Sequence, residues 1–186
     1  MRKLNSIIGP AMIILLIIHG LWGAFQLSGV VPGGSAVRKI LSYILVALVV
    51  LHIIIGIKLT LDTLIALKKS GASYFKNNLE FWIRRFSGLA LILFICYHIF
   101  VFMSTSGEVF RLHVFGGVQL AAHILLTISL IIHLAFNIRP QFIAFGVTNK
   151  KYVKDVVIIL SIILAACAIG FIVYYLRWNI LWRYGS

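Results

Sequence analysis

Acidic residues are almost missing from this 186-residue chain: four Asp and Glu stand against 17 Lys and Arg, giving a formal net charge of +13. Charge of either sign is scarce, at 11% of residues, and there are two cysteines. Soluble domains carry about 25% charged and about 45–50% apolar residues, whereas 62% of this chain is hydrophobic. The shortage of charge excludes an ordinary globular enzyme and a disordered tail, and two cysteines are too few for a disulfide scaffold. Both of them, Cys96 and Cys167, fall in apolar stretches and read as small packed side chains. No Ala-x-Ala site cleanly follows the apolar run from Ile7 to Leu27, so a cleavable leader is a poor reading of the N-terminus.

What the chain has instead is long stretches without charge. Windows 4–37, 40–57, 86–107, 112–138 and 156–176 contain no Asp, Glu, Lys or Arg. A bilayer span needs about 17–25 apolar residues, so each window holds one helix, and the first also holds the turn Val31-Pro32-Gly33-Gly34. The expected fold is an all-α integral membrane protein in one domain, with spans at about 4–29, 38–60, 86–105, 113–138 and 155–178. The longest connection, 59–84, is expected to carry the second helix past the membrane surface, then to dock on a partner or the interface around Ser73 to Asn78. No soluble domain remains to hold a substrate pocket outside the bilayer.

Basic residues give the orientation. With the N-terminus inside, twelve fall on the inner side (Arg2, Lys3, Lys58, Lys68, Lys69, Lys76, Arg84, Arg85, Arg139, Lys150, Lys151, Lys154) and five on the outer (Arg38, Lys39, Arg111, Arg177, Arg183). After Asp62, Glu80 and Asp155 inside and Glu108 outside are counted, the net charge divides into +9 and +4. The positive-inside rule therefore places the N-terminus inside and the C-terminus outside. The excess reads as an orientation signal and a contact with anionic lipid, not as a nucleic-acid surface. The aromatic end Tyr174, Tyr175, Trp178, Trp182 and Tyr184 fits an outer interfacial belt.

Histidine carries the chemistry. Ionisable groups inside a span are expensive and default to functional hypotheses, and five histidines lie within spans: His19, His52, His98, His123 and His133, with His113 at the outer mouth of the fourth. Counted at 1.5 Å per residue from the inner flanking charges, His52 and His133 lie about 9 Å deep, and His19, His98 and His123 about 20–24 Å deep. A repeat orders them. Gly9 precedes His19 by ten residues, as Gly88 precedes His98, and His52 to Lys58 and His133 to Arg139 share a His-x4-Ile-basic phrase. Two helical hairpins thus each offer an outer and then an inner histidine. Paired across a bundle, His19 with His98 and His52 with His133, these are the two axial imidazoles that a bis-histidine haem requires. Gly9 and Gly88, about 15 Å below their own histidines, lie at the level of the other pair and leave room for a porphyrin, with Gly20, Gly23 and Gly56 giving further clearance. A metal-ion carrier is a weaker rival, because the charge-free windows hold no carboxylate to neutralise a divalent cation.

The segment Phe81-Trp82-Ile83-Arg84-Arg85-Phe86-Ser87-Gly88 leading to His98, together with the two His-x4-Ile-basic phrases, resembles the cytochrome b membrane anchors of succinate dehydrogenases and fumarate reductases. The likeness covers nearly the whole chain, and its motifs are short but ordered. It implies two haem b groups in a bundle of the first four helices, with His19 and His98 axial to the distal haem and His52 and His133 axial to the proximal one. It also implies a flavoprotein (FAD) subunit, an iron–sulfur subunit, membrane lipid and a quinone, expected to be menaquinone, in a prokaryotic cytoplasmic membrane. Such an anchor passes electrons between the iron–sulfur protein and the quinone without acting on the dicarboxylate itself, so no catalytic residue is assigned.

Lys58, Arg84, Arg85 and Arg139 are the candidates for the proximal propionates, and Arg85 and Ser87 match an Arg-x-Ser-Gly phrase bordering a quinone site in some relatives. Glu108, Arg111 and His113 form the outer cluster able to take protons from a quinol. His123 has three open roles: bonding a propionate or quinol, replacing a ligand, or packing. The repeat favours His133 as the fourth-helix ligand, because the counterpart of His123, ten residues before His52, is Ser42. One departure from the family is the outer end of the first helix, Phe25-Gln26-Leu27-Ser28-Gly29, which has no acid where some dihaem fumarate reductases carry one. Other readings are an anchor of hydrogenase or formate dehydrogenase type, and a haem-free transporter or scaffold.

Overall fold

A computed structural model describes residues 2–70, 78–103, 115–177 and 179. They form five helices, α1 (Arg2–Leu27), α2 (Ala36–Ser70), α3 (Leu79–Met103), α4 (Gly117–Ala144) and α5 (Lys150–Leu176), with no strand among the described residues. All five are long and apolar enough to span a bilayer. Only 6–22% of the most apolar window of each helix is buried inside the chain, and side chains such as Leu93, Phe100 and Ile162 point outward with more than half their surface exposed. A helix apolar all round with most of that surface outside the protein has hydrocarbon as its solvent. The chain is a multi-pass membrane protein.

Helix ends follow local chemistry. Gly29 (φ +77°) and Gly146 (φ +80°) take the left-handed conformation just past α1 and α4. At each, paired backbone bonds close the last turn, Val30 N–H to Phe25 O and Gly29 N–H to Gln26 O, then Val147 N–H to Phe142 O and Gly146 N–H to Ile143 O. This is the Schellman arrangement that glycine admits without a Cβ penalty. At the start of α5, Asn149 Oδ1 accepts from the Lys151 and Tyr152 N–H groups at 3.0 and 3.3 Å. The helices run beyond the charge-bounded windows. As expected, α2 continues past Lys58; at about 52 Å it is longer than the hydrocarbon is thick. α3 starts before Arg84, and α4 runs on through Pro140 to Ala144. Of the proposed docking segment, Asn78 alone is described; its carbonyl accepts from Phe81 N–H at 3.0 Å.

Packing follows an arc: α2 lies on α1, α1 on α5, α5 on α4, and α4 on α3. Among the described residues α2 makes no close backbone contact with α3 or α4, and α1 makes none with α3. α1 also touches α4, so the two hairpins meet along that edge and leave a gap between α1 and α2 on one side and α3 on the other, with α5 packed against both α1 and α4. One core cluster gathers Val101, Phe115 and Tyr174 with Leu27, Tyr97, Phe102 and Phe171, and the other gathers Ile138, Val153 and Leu160 with Ile13, Ile17 and Phe142. Tyr174, from the aromatic end of the chain, is 8% exposed with its ring 5.2 Å from that of Phe115. Trp178, Trp182 and Tyr184 lie outside the described residues.

Small residues let α5 approach α1. A Cβ placed on Gly170 would meet Ala24 Cα at 2.7 Å and its Cβ at 2.9 Å, and one on Gly20 would meet Cys167 Sγ at 3.2 Å. Close approach of this kind is how helices associate where lipid supplies no hydrophobic drive. Both cysteines are free thiols. Gly170→Val is expected to lower thermal stability in detergent by about 1–3 kcal/mol, the range for overpacking. Gly117→Ala, whose Cβ meets nothing within 4 Å, should leave it within about 0.5 kcal/mol.

Candidate functional site: two histidine pairs across the gap

Side chains bridge the gap that the backbones leave. The His19 and His98 ring centres are 6.0 Å apart with planes at 76°, and those of His52 and His133 are 6.3 Å apart with planes at 88°. Each pair joins one hairpin to the other, α1 to α3 and α2 to α4, which is the pairing that the repeat predicts. Two collinear nitrogen–metal bonds of about 2.0 Å, with each nitrogen about 1.1 Å from its ring centre, set ring centres about 6.2 Å apart. Both separations match a metal held between two imidazoles. All four rings are half-buried.

The tautomers follow from hydrogen bonds. His19 Nδ1 lies 3.1 Å from Ser42 Oγ, whose hydroxyl donates to the Arg38 carbonyl at 2.9 Å. With its single proton committed there, Ser42 accepts from His19 Nδ1–H. His133 repeats this on the other hairpin: its Nδ1 is 3.1 Å from Ser87 Oγ, which donates to the Arg84 carbonyl at 3.3 Å. Both bonds put the proton on Nδ1 and leave Nε2 with a free lone pair, the state in which a histidine ligates metal while its other nitrogen is held from behind. Ser42 was legible in the sequence as a counterpart of His123 but not as a partner of His19. Ser87, a candidate at the propionates or quinone, has its hydroxyl between His133 and Arg84. His52 Nδ1 and His98 Nδ1 are buried with no hydrogen-bond partner among the described residues.

His123 stands apart. It is 1% exposed, its Nδ1–H donates to the Gln119 carbonyl at 2.6 Å, and the rings of Phe102, Phe115 and Phe171 enclose it at 5.2, 5.4 and 4.6 Å. It neighbours His98 at 5.2 Å; the ring facing His52 belongs to His133.

The glycines divide. Gly88 sits at the His52–His133 level, where an added Cβ would come 3.4 Å from His133 Cε1, and Gly23 and Gly56 face open space. Gly20 instead packs on Cys167, and Gly9 on the Gln141 amide, which also donates to the Ser6 carbonyl and ties α4 to α1. Among the cations, Arg85 lies two residues before Ser87, whose hydroxyl bonds His133, and stacks over Phe81 at 4.6 Å. Arg84 is paired with Glu80 at 2.9 Å one turn away. Lys58 and Arg139 are exposed. Glu108, Arg111 and His113 lie outside the described residues. No group of three or more His, Cys, Asp or Glu side chains gathers among the described residues, so the site is built of pairs.

Ser42→Ala and Ser87→Ala are each expected to cost about 1 kcal/mol in thermal stability, the scale of an interhelical hydrogen bond in a membrane protein. In 15N-histidine spectra, Ser42→Ala should perturb His19 and leave His133 unchanged, and Ser87→Ala should do the reverse.

No family model matches the chain, and no curated protein or solved structure matches it either.

Proposed function

We propose that the chain is a dihaem cytochrome b, the membrane anchor of a succinate:quinone oxidoreductase of the succinate dehydrogenase or fumarate reductase type. The observation that carries this reading is the pair of cross-hairpin histidine couples, each at the spacing of two axial ligands and each including one imidazole whose Nδ1–H is held by serine. His19 and His98 would hold the distal haem, and His52 and His133 the proximal one. Bound there, haem supplies one-electron transfer between a docked iron–sulfur protein and a membrane quinone, for which the protein sets geometry and potential.

The remaining roles belong to side chains already in place. Arg85, two residues before the Ser87 that bonds His133, would neutralise a propionate in a medium of low dielectric. Gly88 leaves room beside His133, and Gly23 and Gly56 leave open space on α1 and α2. The half-buried histidines lie within helices apolar enough to span a bilayer, so the cofactors would sit in apolar surroundings. The basic ends at Lys58, Arg84 and Arg139 would form the inner, cytoplasmic face on which the iron–sulfur subunit docks, with menaquinone as the expected electron partner.

A pyridine haemochrome assay against protein concentration on the purified chain should give two haem b per polypeptide. His19→Ala, His98→Ala, His52→Ala and His133→Ala should each bring the ratio to about one, and His123→Ala should leave it at two. Absence of a b-type band in the wild type, or loss of a haem on replacing His123 but not His133, would contradict the assignment.

A further inference from the structure

The repeat that orders the haem candidates also orders what stands behind them. Ser42 precedes His52 by ten residues, as His123 precedes His133. Ser42 is the acceptor behind His19 on the first hairpin. Its counterpart His123 lies beside His98, the counterpart of His19, on the second.

Three further observations converge there. His98 Nδ1 is buried without a partner, and so is His123 Nε2. Because His123 donates through Nδ1–H to the Gln119 carbonyl, its Nε2 carries a lone pair and is an acceptor. The two ring centres are 5.2 Å apart, so with each nitrogen about 1.1 Å from its centre a linear approach leaves about 3.0 Å between nitrogens, the length of a hydrogen bond. Both nitrogens are shut from water, and a proton on His98 Nδ1 with one rotation of the His98 ring toward the His123 acceptor removes the penalty of both.

We propose that His123 is a positioning residue for His98: Gln119 carbonyl, His123 and His98 form a relay in which His98 Nδ1–H donates to His123 Nε2. It does for His98 what Ser42 does for His19, and it directs His98 Nε2 toward the gap. The role of the relay at a haem rests on the function proposed above; the hydrogen bond itself does not. An imidazole acceptor on Nδ1–H makes the ligand more basic, and a more basic axial ligand favours ferric over ferrous iron. The fourth position of this scheme accounts for His52: the counterpart of Ser87 on the first hairpin is Ile8, which has no acceptor to offer.

The test compares wild type, His123→Gln, which restores an acceptor through its amide oxygen, and His123→Phe, which keeps an aromatic ring without one. On the full chain in detergent, 15N-histidine spectra should show coupling across the bond between His98 Nδ1 and His123 Nε2 in wild type, lost in His123→Phe. Redox titration should show the midpoint potential of one haem raised in His123→Phe and returned toward wild type in His123→Gln, with the other haem unmoved and two haems retained throughout. A wild type without the nitrogen–nitrogen coupling overturns the proposal. So do equal shifts in both variants, which would mark a packing effect, no shift in either, and loss of a haem in His123→Phe. A wild type that shows the coupling but binds no haem would leave the hydrogen bond standing and refute the haem function instead.

Discussion

An imidazole among apolar helices carries a cost for every nitrogen left without a partner, because burial removes the water that would otherwise supply one. Much of the arrangement around the gap follows from that constraint. His19 and His133 spend one nitrogen on serines whose own protons are committed to backbone carbonyls. Their rings face His98 and His52 across a gap that the helix backbones do not close. The four histidines stand in two facing couples at 6.0 and 6.3 Å, a spacing at which a metal between each couple, as proposed, would meet the remaining demand.

The gap persists because the helices that would fill it are held elsewhere. α5 presents Gly170 to Ala24 and Cys167 to Gly20, seating itself against α1, and its other side packs on α4. Asn179 Nδ2 reaches the Phe115 carbonyl at 3.0 Å and fastens the end of α5 to the start of α4. The fifth helix, which brings no histidine, thereby joins the two hairpins alongside the direct contact of α1 with α4. Aromatic packing around His123 stiffens one end of the arrangement, and Gln141 bridges α4 to α1 at the other.

Spans and pairs were readable because charge and histidine are rare here, so each one carries information. Charge-free windows located five helices, although their ends could not be placed: Lys and Arg extend to the interface on long stems, which lets α2 and α4 continue past the windows. The ten-residue and His-x4-Ile-basic spacings were enough to pair His19 with His98 and His52 with His133, since helical rise converts sequence distance directly into depth. What did not show was anything set by rotation about a helix axis. That Gly20 faces α5 and not the gap, that Ser42 stands behind His19, and that His123 is enclosed by phenylalanines all depend on which way a helix is turned, and helices apolar on every side give no moment to reveal it.

Positive charge was the other prominent feature, and its meaning is local. Arg84 is paired with Glu80, and Arg85, two residues before the serine that bonds His133, is the cation proposed to balance a propionate. The central claim, that each couple grips one iron between imidazoles whose planes cross at 76° and 88°, is tested most directly by low-temperature electron paramagnetic resonance of the oxidised protein. Near-perpendicular imidazoles predict two low-spin ferric signals of the highly anisotropic, large-gmax type. High-spin iron, a rhombic signal of coplanar imidazoles, or no haem signal would contradict it.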